Sequence, residues 1–132
     1  MSTADKVRDH VARTFFYDGM VNGEWEKGAS VLHDDVVWSV PSDSAIGGMW
    51  RGKEAVVGLG KSIQEGGVKV GVVRLEYGLE KIAVVLHNQG SRDGKVLDEH
   101  LTAVFTLSGD KAIFIEAFIS DLPMLNAFLP KA

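Results

Sequence analysis

The chain has no cysteine among its 132 residues, which excludes a disulfide framework, a thiolate nucleophile and a thiolate metal site. Proline is scarce, at three residues, and no low-complexity tract or internal repeat interrupts the sequence. No linker is visible, so residues 1–132 read as a single domain, long enough to bury a core of its own. Basic runs are also missing, and the net charge is −4; both argue against nucleic acid and anionic membranes as partners. No apolar stretch approaches the length of a membrane span, and the opening MSTADKVRDH has no signal-like apolar core, so a cytoplasmic location is expected. The catalytic signatures are missing as well. There is no H-x-H or HExxH pair for a metal, no GxGxxG or Walker pattern for a phosphate, and no GxSxG elbow. Any chemistry here is expected to be independent of metals and cofactors.

What the sequence does have is a carboxylate in an unusual place. Glu116 interrupts the apolar run Ala112-Ile113-Phe114-Ile115-Glu116-Ala117-Phe118-Ile119. Burying an unpaired carboxylate is unfavourable by several kcal/mol, roughly, and raises its pKa. Such a group points to a lined pocket.

The elements around it follow from periodicity. Ser2 or Thr3 can cap a first helix with Asp5 in its first turn, and Val7, Val11 and Phe15 recur at helical spacing until Asp18-Gly19 and Asn22-Gly23 break it. A short second helix is expected over Glu24–Leu32, then an extended Val36–Val40 closed by Pro41. A Gly/Ser/Asp-rich loop follows to Gly52. A third helix is expected from Lys53 to Ser62, although Gly58 and Gly60 oppose it. From Val68 onward the pattern is that of strands: Val68–Tyr77, Ile82–Gln89, Val96–Leu107 and Ile113–Ile119, separated by short turns. Asp121 can cap a last short helix over Leu122–Leu129. Helices followed by antiparallel strands predict an α+β domain with a curved sheet.

Val96–Leu107 alternates most clearly. Leu97, Leu101, Ala103, Phe105 and Leu107 share a core face, and Glu99 is the polar residue in that row. If Glu116 points with Phe114 and Phe118, two strands each turn a glutamate inward. His87 is expected to share a pocket face with Val85 and Gln89, within reach of Glu116 for proton exchange. Trp38 and Trp50 flank the loop and, with Tyr17, are candidates for the mouth of a pocket; plain core packing is the other use of such residues.

Leu32-His33-Asp34-Asp35-Val36-Val37-Trp38, Pro41, Gly48-Met49-Trp50-Arg51-Gly52-Lys53-Glu54-Ala55-Val56, Gly94-Lys95, Val104-Phe105-Thr106-Leu107 and Asp110-Lys111-Ala112-Ile113 follow one another in this order over nearly the whole chain. In that layout the chain resembles the nuclear transport factor 2-like superfamily, in particular its SnoaL-like and ketosteroid-isomerase-like branch. The resemblance implies a cone-shaped roll of about three N-terminal helices on a strongly curved, mainly antiparallel sheet around an apolar pocket. It also implies a homodimer formed through the sheet. Of the residues that carry chemistry in such relatives, the ketosteroid-isomerase base aspartate falls at Val40 and the second aspartate near Ala103. The oxyanion-holding tyrosine falls at Tyr17, five residues before Asn22. The strand matching Ile82–Gln89 lacks the arginine and aspartate of limonene-type epoxide hydrolases. SnoaL-like cyclases place a histidine and an aspartate where Glu116 and Phe118 stand. The expected function is a proton-transferring isomerase, cyclase or dehydratase acting on an apolar small molecule, as in secondary metabolism. Glu116, His87 and Tyr17 would be catalytic, and Trp38, Trp50, Val40, Glu99, Leu101, Phe105 and Phe118 would bind substrate. The alternative is a non-catalytic ligand-binding or accessory domain of the same fold.

Overall fold

The computed structural model describes residues 2–129. Helix α1 spans Thr3–Arg13 and begins with a capping box: the Asp5 N–H donates to Ser2 Oγ, and the Ser2 N–H donates to the Asp5 carboxylate. The helix does not stop at Asp18-Gly19. It widens into a π-helix over Thr14–Val21, held at its end by an Asn22 N–H bond to the Tyr17 carbonyl five residues back. Gly19 is needed for packing rather than for a turn, because a Cβ there would lie 3.1 Å from the Trp25 ring. Helix α2 is Trp25–Ser30, shorter than the expected Glu24–Leu32, because Leu32 already belongs to the first strand.

Among the described residues, six strands form one mixed sheet in the order β2-β1-β6-β5-β4-β3. They are β1 Leu32–Val40, β2 Gly48–Arg51, β3 Lys69–Gly78, β4 Lys81–Arg92, β5 Lys95–Ser108 and β6 Lys111–Ile119. All neighbours are antiparallel except β1 and β6. β2 lies inside the stretch that composition assigned to a loop; four residues pair with β1 there, Trp50 opposite Trp38. Register shifts in β1–β6, β3–β4 and β5–β6 bend the sheet toward the helices.

Helix α3 runs over Lys53–Glu65, a turn beyond the expected Ser62. Gly60, which propensity counts against the helix, lets the Trp25 indole lie on the helix backbone: a Cβ there would meet Trp25 Cη2 at 2.2 Å. Helix α4, Leu122–Phe128, is capped by the Asp121 carboxylate accepting from the Met124 N–H. Phe15 and Phe16 pack on Phe105, each with a ring-centre distance of 5.5 Å, and close the core where helices meet sheet. Among the described residues, no helix is long and apolar enough to cross a membrane.

Candidate functional site

The concave face of the sheet does not fill completely. A small cavity of about 50 Å³, partly open to solvent, remains between the sheet, the π-helical segment, α3 and α4. Its walls are almost wholly apolar. The π-helix contributes Phe16 and Met20, β1 contributes Trp38 and Val40, and α4 with the residue after it contributes Leu125 and Leu129. Space for the cavity is left by small side chains. Ala103 on β5 and Ala117 on β6 are register partners, and both face inward. Two methyl groups there leave uncovered an area that larger residues would fill.

Among the described residues, three polar side chains interrupt the apolar lining: Glu99 on β5, Asn88 on β4 and Trp38 on β1. Glu99 and Asn88 sit directly opposite each other in the β4–β5 ladder. Each of the three carries a buried polar atom without a hydrogen-bond partner: Glu99 Oε2, Asn88 Oδ1 and Trp38 Nε1. Buried polar groups in folded proteins are nearly always paired, so these three atoms call for partners from a molecule inside the cavity, bound water included. Glu99 is only 4% exposed. Burial pushes its carboxyl up to about 7; the nearby Asp121 carboxylate adds to the rise, and the Asp121 backbone N–H opposes it. Near neutral pH, therefore, Glu99 can either take up or release a proton. Among the described residues, no group of three or more histidines, aspartates or glutamates is placed to hold a metal ion.

No family model matches the chain, and no curated protein matches it in sequence. Solved structures do. Bal32a, from a soil-derived mobile gene cassette, superposes with a TM-score of 0.88 at 18% identity, over 96% of this chain and 98% of its own. A nuclear transport factor 2-like protein from Burkholderia xenovorans matches with a TM-score of 0.76 at 18% identity, over 90% of this chain and 93% of its own. This chain has the nuclear transport factor 2-like fold. Within that fold it is also similar to a putative SnoaL-like polyketide cyclase from Jannaschia, with a TM-score of 0.76 at 17% identity, over 91% of this chain and 90% of the other.

The nuclear transport factor 2-like cone divides the residues singled out by sequence into three groups. Trp38, Val40, Glu99 and Leu101 line the cavity, and Phe105 lies behind its wall, fully buried under Phe15 and Phe16. Trp50 is half-buried outside the cavity, its indole N–H donating to the Ile46 carbonyl at 2.9 Å, so it anchors the loop and not a ligand. Tyr17 is 37% exposed, with the Arg13 guanidinium 6.0 Å above its ring, and does not line the cavity.

Glu116, His87 and Phe118 need correction because the sheet turns them outward. Ile115 and Ala117, on either side of Glu116, face inward. Strand alternation therefore sends Glu116 to the convex face, beside Val104 and Ser39. Phe118 shares that face and is 51% exposed. On β4 the inward row is Ile82, Val84, Leu86 and Asn88, one residue out of step with the expected Val85, His87 and Gln89. His87 instead stacks on His100, with ring centres 4.4 Å apart, and its Nε2 lies 2.5 Å from Asp98 Oδ1. Sequence reasoning missed Asn88. The fully apolar row Ile82, Val84, Leu86 ends on it, and that period-two row was the available signal.

Proposed function

We propose that the protein is a small cofactor-independent enzyme that moves a proton on an apolar molecule held in this cavity, with Glu99 as the acid–base group. The observation that carries this reading is the Glu99 carboxyl, buried among apolar walls with one oxygen unpartnered. A general acid–base group works best when its pKa lies near the operating pH, and burial brings Glu99 there. Protonated, it can donate to an oxygen that is leaving or becoming an enol. Ionised, it can accept a proton from carbon or from a hydroxyl. Isomerase, cyclase and dehydratase chemistry all require one such group in a dry site. The similarity to a putative SnoaL-like polyketide cyclase agrees with this class of reaction without selecting a member of it.

A second reading is favoured by the make-up of the wall: among the described residues, Glu99 is the only titratable one lining the cavity. A proton moved between two sites then has no second relay, which suits a non-catalytic ligand-binding domain. Proton exchange separates the two readings. α-Tetralone incubated with the protein in heavy water should gain deuterium next to its carbonyl faster than in buffer. The Glu99→Gln variant should lose that acceleration while Glu116→Gln keeps it. Acceleration that survives Glu99→Gln excludes Glu99 as the base.

A further inference from the structure

The polar inventory of the cavity also specifies what can sit in it. Among the described residues, no lysine, arginine or histidine lines the wall, and the charge that acts on Glu99 is the Asp121 carboxylate. An anionic ligand would therefore meet a carboxylate and find no counter-charge, in a setting where desolvated like charges repel strongly. Opposite Glu99, Asn88 offers an amide that can donate or accept. Glu99 is likewise an acceptor when ionised and a donor when protonated. One neutral group complements both side chains in every protonation state. A hydroxyl donates to the carboxylate while accepting from the Asn88 amide nitrogen, or accepts from the carboxylic acid while donating to Asn88 Oδ1. Apart from the Trp38 indole N–H, the rest of the wall is apolar and rewards burial of hydrocarbon.

We infer that the cavity is built for an uncharged molecule that carries a hydroxyl group at its Glu99–Asn88 end and is apolar elsewhere. This substrate class rests on the same site as the proposed proton transfer, but it can be tested without any turnover. Naphthylmethanol, methylnaphthalene and naphthoate, all substituted at the same ring carbon, present a hydroxyl, nothing and a negative charge on one skeleton. Calorimetric titration of the full chain at a mildly alkaline pH should find the alcohol bound about tenfold more tightly than the methyl compound, the effect of one hydrogen bond to a charged group. The naphthoate should be weaker than the alcohol by about a hundredfold, as expected of an unpaired like charge. In Glu99→Gln, which keeps the shape and hydrogen bonding but removes the charge, most of the discrimination against naphthoate should disappear.

Naphthoate binding as tightly as the alcohol overturns the inference. So does an alcohol no tighter than methylnaphthalene, including the case in which none of the three binds. Alcohol preference without deuterium exchange would leave the ligand class standing and end the catalytic reading. Exchange that depends on Glu99, combined with a preference for naphthoate, would do the reverse.

Discussion

Asn88 and Glu99 face each other across the β4–β5 ladder, and the buried oxygens Asn88 Oδ1 and Glu99 Oε2 both lack a partner. Burial of the Glu99 carboxyl has a thermodynamic consequence. The Glu99 carboxyl is raised from 4.5 to about 7 in the folded chain. Between those values the folded state keeps a proton that the unfolded state has released. Stability therefore falls as pH rises through this window, by roughly 3 kcal/mol in total, and the loss is complete above the folded pKa. Denaturant unfolding at pH 5 and pH 8 should show this slope in the wild type. Glu99→Gln, which has no proton to lose, should lack it and be the more stable protein at pH 8.

Two glycines in α3 should respond to alanine in opposite directions. Gly60 lies against the Trp25 ring, where a Cβ would approach within 2.2 Å. Gly60→Ala is expected to destabilise the fold by about 1–3 kcal/mol through overpacking. Gly58 meets nothing within 4 Å, so Gly58→Ala should stabilise by about 0.5–1 kcal/mol through helix propensity. Thermal unfolding of the two variants checks both signs.

Helix α4 closes one side of the cavity with Leu125 and is fastened by Asn126. Its Oδ1 accepts from the Ala45 N–H at 2.6 Å, and its Nδ2 donates to the Asp43 carbonyl at 2.9 Å. Asn126→Ala removes both bonds. It should lower stability by about 1 kcal/mol and speed hydrogen exchange at the α4 amides, while the β4–β5 ladder stays protected. Unchanged α4 exchange would show that the fastening lies elsewhere.

The fold was largely legible because its signals are local and periodic. The strict alternation of Val96–Leu107 placed Leu97, Glu99 and Phe105 inside, where they are found, and the Ser2 and Asp121 caps marked helix starts that the structure has. The site was legible only where alternation was unambiguous. On β6 both faces are apolar, so the direction of Glu116 depended on the pairing with β1 and β5, a non-local fact. On β4, Val84-Val85-Leu86 masks the period, so that the row containing His87 reads as the inner one. The π-helix was hidden for a related reason: Asp18-Gly19 is a breaker by propensity, whereas the close contact of Gly19 with Trp25 is tertiary. Glu116 is a charge in an apolar strand, yet the carboxylate that burial encloses is Glu99, whose own strand looks ordinary in sequence.

The ionisation of Glu99 is the most direct test. Carbon-detected NMR of the labelled protein, with the resonance assigned by its loss in Glu99→Gln, can follow the side-chain carboxyl through a pH titration. A midpoint near 7 is predicted. A midpoint at the ordinary glutamate value of about 4.3 would mean a solvated or paired carboxylate, and would contradict the site described here.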